Sequence, residues 1–189
     1  LRLAQTCKRN ALVDELKSAE VRNVDAWSKD LTRAIGNVEA FGDYFKEESY
    51  ALLLAKSGLR VTLKPKGQIG PDLKVEVDGE EIYVEVSRFR EDYNLRNKLA
   101  LGTELQESVK LPERSEDLLT KIGREASQLV DGFPGIVLLH SDHVAIDELD
   151  FIQAIESKAT PLSKASAVIF GSNWRSVGYN SYPMFWGFV

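Results

Sequence analysis

Residues 71–87, with the sequence PDLKVEVDGEEIYVEVS, carry the strongest structural signal of the chain. Residues 73–77 and 81–87 alternate apolar and polar side chains, which is the pattern of strands with one buried face. Between these two runs lies Asp78-Gly79. This dipeptide favours a two-residue turn because both turn positions need a positive φ. The segment therefore predicts a β-hairpin.

Two carboxylates face each other across this predicted hairpin. Pairing outward from Asp78-Gly79 places Asp72 opposite Glu85, and it places Lys74 and Ser87 on the same side of the hairpin as that pair. The Cβ atoms of opposed residues are roughly 5 Å apart, and like charges at that distance repel. Mg²⁺ or Mn²⁺, hard cations that prefer oxygen ligands, would cancel this repulsion.

An ordinary surface hairpin fits the same pattern. Glu76 opposite Glu81 is a second acidic pair on the outer side, and Lys74 lies diagonal to Glu85, where it could neutralise that carboxylate. The pairing alone leaves a cation site and a solvated face as alternatives.

The segments on both sides of the hairpin predict a mixed α/β domain. Residues 9–35 have the pattern of an amphipathic helix, and Asn37 caps a second helix that runs to about Lys56 and stops at Gly58. The further predicted elements are a strand at 59–63, a loop or loose helix at 90–114, a helix at 115–130, a buried strand at 135–139, a helix at 146–157, a buried strand at 167–170 and an aromatic tail at 179–189 that packs or pairs.

These elements give the order α-β-β-β-α-β-α-β, with extra helices at the N-terminus. We predict an N-terminal helical extension at residues 1–36 and one domain at residues 37–189. The first strands form an antiparallel meander and the later ones form crossover units, so the sheet is predicted to be mixed and flanked by helices.

Composition limits the possible classes of function. The 189 residues carry 24 basic and 29 acidic side chains, a net charge of −5, which argues against a protein that coats nucleic acid with its whole surface.

No apolar run is long enough to span a bilayer, no signal peptide opens the chain, and Cys7 is alone, which excludes an internal disulfide. We therefore expect a cytoplasmic protein with no membrane partner. Leu1 leaves open that the chain is part of a longer one, and the sequence leaves a homodimer open.

The string Pro71-Asp72, twelve intervening residues and Glu85-Val86-Ser87 resembles the PD-(D/E)xK nuclease superfamily, which has the restriction-endonuclease-like fold. The resemblance covers residues 40–170 approximately and includes the order of elements. It implies hydrolysis of phosphodiester bonds in DNA that depends on Mg²⁺ or Mn²⁺, with Asp72 and Glu85 as metal ligands. The alternative is a non-catalytic module on the same fold that binds nucleic acid or protein.

The superfamily also uses residues on the two helices beside the hairpin. Glu47, at a similar spacing from Gly58, is the expected acidic residue of the first helix, with Glu48 as second choice. The chosen glutamate would join the metal site or support a metal-bound water, and a solvated helix face is the alternative for both residues. A Gln on the later helix recurs among related nucleases, and Gln128 matches it, although a plain exposed polar position is the alternative.

Ser87 departs from the superfamily pattern, which has Lys at this position. That Lys stabilises developing negative charge and helps to orient or deprotonate the attacking water, and Ser carries no positive charge. The resemblance therefore requires a lysine from elsewhere. Lys74, on the same hairpin face, is the predicted replacement, and Lys121 on the later helix is another candidate.

Basic residues lie before and after the hairpin, where they would contact a phosphate backbone or form scattered surface charge. They are Lys56, Arg60, Lys64, Lys66, Lys74, Arg88, Arg90, Arg96, Lys98, Lys110 and Arg114.

His140 and His143 form an H-x-x-H pattern. At the end of a strand this spacing does not bring two imidazoles together, and no third ligand is evident. We interpret both as loop residues rather than as zinc ligands.

Overall fold

A computed structural model describes residues 2–67, 70–89, 111–141, 164–172 and 184–188. The predicted helix at 146–157, the predicted loop up to residue 110 and His143 lie outside these residues. In chain order the elements are α1 (Arg2–Ser18), α2 (Val24–Ala34), α3 (Val38–Lys56), β1 (Arg60–Leu63), β2 (Leu73–Val77), β3 (Glu80–Phe89), α4 (Leu111–Ala126), β4 (Gly135–Ser141), β5 (Ala167–Ser172) and β6 (Met184–Phe188).

The hairpin of β2 and β3 has the predicted turn and register. Asp78 and Gly79 both have positive φ, at 50° and 90°. The paired residues include Leu73 with Val84 and Val77 with Glu80, as counted outward from the turn. The residues of the turn therefore set which side chains share a face, as the sequence predicts.

The described strands form one mixed sheet of six strands in the order β1-β2-β3-β4-β5-β6. Strands β1, β2 and β3 pair antiparallel, β3, β4 and β5 pair parallel, and β6 returns antiparallel to β5. The mixed α/β class is thus confirmed. The aromatic tail pairs through β6, in agreement with the prediction that it packs or pairs.

Alternate residues of β3 belong to two different hydrophobic clusters. Val84 and Val86 pack with residues of α1, α2 and α3, whereas Tyr83 packs with residues of α4. Successive side chains of a strand point to opposite faces of the sheet. The three N-terminal helices therefore cover one face and α4 covers the other. Glu85 and Ser87 have the same alternation as Tyr83 and point to the α4 side.

The prediction that residues 9–35 are helical is confirmed, but the chain forms two helices there, α1 and α2, with a break between them. Glu20 and Asn23 adopt positive φ of 58° and 64°, which a continuous helix does not allow. The Asn23 side chain donates to the Leu63 carbonyl at 2.8 Å. Trp27 and other residues before position 37 belong to the same hydrophobic cluster as β1, β2 and β3. The boundary at residue 37 stays a prediction, but it does not divide this core.

Helix α3 has the predicted cap, while α4 has different ends from those predicted. The Asn37 side chain accepts hydrogen bonds from the backbone of Glu39 and Ala40. Helix α4 begins at Leu111, four residues before the predicted start at Ser115, and ends at Ala126 rather than near Val130. Beyond this end, Gln128 and Leu129 bond to carbonyls three residues back, which is a tightened turn rather than an α-helix.

None of the helices in the described ranges combines the length and the apolar composition that crossing a bilayer requires.

Candidate functional site

A cavity of about 600 Å³ lies where α3, the hairpin and α4 meet. Its lining holds five carboxylates and three basic side chains, so charged groups dominate it. The lining residues are Asp43, Glu47, Asp72, Glu85, Val86, Ser87, Arg88, Thr120, Lys121, Arg124 and Glu125.

Asp72 directly precedes β2 and is buried at the cavity wall. One of its oxygens, Oδ2, accepts a hydrogen bond from the backbone N–H of Val86 at 2.9 Å. Because Val86 adjoins Glu85, this bond fixes Asp72 beside the part of β3 that carries the second carboxylate. The structure therefore brings the predicted pair Asp72 and Glu85 into one cavity.

Glu85 is the second carboxyl group of the predicted pair, and it lines the same cavity as Asp72. Its side chain is buried, with 5% of its surface exposed. Its Oε2 atom has no hydrogen-bond partner among the described residues. Burial, together with the nearby charges of Asp72 and Glu125, raises the pKa of Glu85 to about 10. A buried oxygen without a partner costs free energy unless a ligand meets it.

Glu47 is the residue of α3 that reaches the cavity. Its Oε2 accepts from Trp27 Nε1 at 3.0 Å, and its Oε1 accepts from Lys64 Nζ at 3.2 Å. Burial and the charge of Asp72 raise the pKa of Glu47 to about 8. Glu48, the second choice from the sequence, is also buried but is not part of the cavity lining. Of the two, the structure brings Glu47 together with Asp72.

Lys64 belongs to the site, although the sequence indicated it only as one of the basic residues near the hairpin. Its ammonium group contacts Asp72 and forms an ion pair with Glu47. Burial opposes the charged form, but both carboxylates hold the pKa of Lys64 above its ordinary value. The pairing of Leu63 with Leu73 places the next residue, Lys64, opposite Asp72. The register between β1 and β2, which the structure supplies, identifies Lys64 as a site residue.

Lys74, the predicted replacement for the missing lysine, lies elsewhere. Its ammonium group is 2.7 Å from Glu81 Oε1 and 3.3 Å from Glu76 Oε1. Lys74 thus forms its ion pairs in the described structure with the second acidic pair, Glu76 and Glu81, and the contact with Glu85 that the pairing allowed is not among them. Lys74 is not among the residues that line the cavity.

Ser87 belongs to a hydrogen-bond network centred on Glu125 of α4. The Ser87 hydroxyl donates to Glu125 Oε1 at 3.0 Å, and Lys121 Nζ lies 3.0 Å from the same oxygen. Arg124 Nη2 donates to it at 2.6 Å. Burial would raise the pKa of Glu125, but the bonds from Arg124, Lys121 and Ser87 hold it below its ordinary value. Glu125 is therefore a buried carboxylate that its neighbours keep charged.

Gln128 lies just beyond the end of α4 rather than on it. Its side-chain amide donates to Glu125 Oε2 at 2.7 Å. Gln128 is exposed and is not part of the cavity lining, and within the described part of the chain the bond to Glu125 links it to the site.

The carboxylates of the cavity meet some, but not all, of the requirements of a binding site for a divalent cation. Asp72 and Glu85 offer carboxylate oxygens, which are the preferred ligands of Mg²⁺ and Mn²⁺, and Glu85 Oε2 has no other partner in the described structure. However, the described ranges contain no group of three or more His, Cys, Asp or Glu side chains that could hold a metal ion. The Lys64 ammonium group, which contacts Asp72 and Glu47, already supplies a positive charge there.

Several of the basic residues singled out in the sequence form ion pairs with acidic residues outside this cavity. Lys56 pairs with Glu15, and Arg60 pairs with Glu76. Arg88 differs, because it lines the cavity and lies 3.6 Å from Asp43. Arg90, Arg96, Lys98 and Lys110 lie outside the described residues.

His140 is a strand residue, so its interpretation as a loop residue is wrong. It belongs to β4, and its ring is buried on the side of the sheet covered by α3. Lys46 Nζ lies 2.8 Å from its Nε2, and the Tyr50 hydroxyl lies 2.9 Å from its Nδ1. These contacts are hydrogen bonds between α3 and β4, and they explain how a polar ring is accommodated at a strand end.

Comparison with protein-family models, with curated proteins and with solved structures finds no match to this chain.

Proposed function

We propose that this protein is a divalent-metal-dependent nuclease that hydrolyses phosphodiester bonds in DNA, on a restriction-endonuclease-like fold. The observation that carries the proposal is Glu85, a buried carboxyl group at the cavity wall beside Asp72, one oxygen of which has no hydrogen-bond partner within the described ranges. A carboxylate pair of this kind costs folding free energy, and such groups concentrate at functional sites.

The fold supports the proposal through the order of its elements. A helix that carries Glu47 precedes an antiparallel hairpin that carries Asp72 and Glu85, and a further helix and a parallel strand follow. This order is what the PD-(D/E)xK resemblance implies. The described residues leave out the predicted helix between β4 and β5, so the likeness rests on the part from α3 to β4 and on the pairing of β5.

In the proposed enzyme Asp72 and Glu85 hold Mg²⁺ or Mn²⁺, and Glu47 supports the site. The bound cation would polarise the phosphate and lower the pKa of an attacking water. The other steps depend on side chains of this protein. Glu85 would have to be deprotonated to hold the cation, Trp27 orients Glu47 through its indole N–H, and Arg88 and Arg124 offer positive charge to the phosphate backbone.

A second candidate is a non-catalytic module on the same fold that binds nucleic acid or protein. Lys64 favours it, because an ammonium group that contacts Asp72 and Glu47 neutralises part of the acidic cluster without a metal. Ser87 favours it as well, since the lysine of the superfamily motif is missing there.

Cleavage assays separate the two candidates. Plasmid and single-stranded DNA are incubated with Mg²⁺ or Mn²⁺ and the wild-type protein, the Glu85→Ala variant or the Lys74→Ala variant. The nuclease proposal expects metal-dependent cleavage that falls at least about 100-fold in Glu85→Ala. Lys74→Ala is the matched control and should keep activity, because Lys74 does not line the cavity. DNA binding without cleavage under any metal condition would favour the second candidate.

A further inference from the structure

The cavity contains a serine where the proposed chemistry needs a positive charge. Among the lysines of the described residues, Lys64 and Lys121 contact carboxylates that line this cavity. Lys74 does not, because its ammonium group is engaged by Glu76 and Glu81. These contacts therefore single out Lys64 and Lys121 as the two lysines to compare, beside the arginines Arg88 and Arg124 of the lining.

Lys64 is held on the acidic side of the site. Its ammonium group contacts Asp72 and Glu47 at the same time, and it is largely buried. Lys64 is not among the lining residues, so a phosphate that enters the cavity does not meet it first. Its role is to balance the charge of the two carboxylates.

Lys121 lies on the other side of the cavity, next to Ser87. It lines the cavity, and its side chain is 22% exposed. Both its ammonium group and the Ser87 hydroxyl lie 3.0 Å from the same oxygen of Glu125. The ammonium group is therefore no more than two hydrogen-bond lengths from the Ser87 hydroxyl, which is the region that a lysine at position 87 would reach.

Glu125 fixes this arrangement. Lys121 and Glu125 are one helical turn apart on α4, the spacing at which two side chains meet on a helix. Glu125 is buried and accepts from Ser87, Arg124 and Gln128 in addition to its ion pair with Lys121. A carboxylate with so many donors has a defined position, and it defines the position of the ammonium group bound to it.

We propose that Lys121 is the catalytic lysine of this site, supplied by α4 instead of β3, and that Glu125 and Ser87 are positioning residues that hold it. The proposal rests on the proposed nuclease function. The Lys121 ammonium group binds a non-bridging oxygen of the phosphate that is attacked and stabilises the negative charge that develops on it. Lys121 thus supplies from α4 the positive charge that Ser87 cannot supply from β3.

A lysine exchange tests this assignment through cleavage. The Lys121→Met variant should lose about 100-fold or more in kcat, with a smaller rise in KM from the lost contact to the bound phosphate. Adding Ser87→Lys to it should restore at least about tenfold, because the charge returns to the same region. Lys121→Arg keeps the positive charge and should retain most of the activity. It tests the assignment even where the double variant does not fold. Lys74→Met is the control and should remain within about threefold of wild type.

Two results in an active protein would overturn the assignment. One is Lys121→Met activity within about threefold of wild type. The other is a loss that neither Ser87→Lys nor Lys121→Arg restores, since that is the behaviour of a residue with a structural role only.

A binding measurement keeps this inference separate from the proposed function. If the wild type cleaves no DNA, the nuclease proposal fails, and fluorescence anisotropy with a labelled DNA duplex in Ca²⁺ decides the role of Lys121. Loss of a phosphate contact in Lys121→Met should weaken binding and lower the slope of log affinity against log salt by about one. Equal affinities and slopes for Lys121→Met and wild type would then refute a phosphate contact by Lys121.

Discussion

Lys64 and Asp72 face each other across the antiparallel pair of β1 and β2, and the ammonium group of one contacts the carboxylate of the other. Lys64 also reaches Glu47 of α3 at 3.2 Å. One side chain thus links the first strand, the start of the hairpin and the preceding helix. Because these groups are buried, the charge balance among them contributes both to stability and to the affinity of the site for cations.

Lys64→Met removes this charge and keeps most of the side-chain volume. Asp72 and Glu47 then lie buried without their cation, so we expect the free energy of unfolding of the metal-free protein to fall by about 3 kcal/mol. Mn²⁺ should restore part of the loss by supplying positive charge. Thermal denaturation with and without Mn²⁺ measures both effects. Lys74→Met is the control, and a similar loss in the two variants would contradict a special role for Lys64.

Glu85→Gln should change how stability depends on pH. The pKa of Glu85 rises from 4.5 to about 10 in the folded protein, mainly through burial. Between these values the unfolded chain loses this proton and the folded protein keeps it. The stabilising contribution is therefore complete below pH 4.5 and is lost progressively as the pH rises toward 10.

Gln at position 85 has no such proton to lose. We expect the Glu85→Gln variant to be more stable than wild type by about 1 to 3 kcal/mol near neutral pH, with a smaller difference in mild acid. Urea denaturation over a pH series measures this. Parallel pH profiles for the two proteins would show that Glu85 ionises in the folded state as it does in the unfolded chain.

The hairpin could be predicted from the sequence because its determinants are local. Asp78-Gly79 and the alternating residues on both sides specify turn and register within one short segment. That register already placed Asp72 and Glu85 on one side. Lys64 was missed because its partner depends on the pairing of β1 with β2, and the residues of the loop that joins these strands do not specify that pairing.

The sequence patterns could not predict the contacts between the helices and the sheet. Which face of α4 meets β3 depends on how the two hydrophobic clusters pack, and only that packing brings Glu125 to Ser87. His140 shows the same limit. Its partners Lys46 and Tyr50 come from a helix about ninety residues earlier in the chain, so a polar strand end looked like a loop.

Trp27→Phe tests the hydrogen bond between the N-terminal helices and the site. The fully buried indole donates to Glu47 at 3.0 Å, and Phe keeps an apolar ring but offers no donor. We expect a loss of about 1 to 3 kcal/mol, and the pKa of Glu47 should rise above its value of about 8, because this bond favours the charged form.

A double-mutant cycle with Glu47→Leu, which offers no oxygen to the indole N–H, isolates the bond from the change in ring size. Unfolding free energies of the two single variants and the double variant should give a coupling energy of about 1 kcal/mol. Additive losses would mean that Trp27 acts by packing alone.

Gly79→Ala and Gly132→Ala form a matched pair that tests the backbone requirement of the turn. Gly79 and Gly132 have φ of 90° and 80°, and an added Cβ would meet no atom within 4 Å at either position. The cost is therefore conformational, and we expect each variant to lose about 1 to 2 kcal/mol in denaturant unfolding. Gly79→Asn should lose less than Gly79→Ala, because Asn tolerates this backbone region better.

Since the pairs from Leu73 to Val77 also hold the register, the stabilisation by Mn²⁺ should survive in both Gly79 variants. Its loss there would mean that the turn, rather than the whole strand pair, keeps Asp72 beside Glu85.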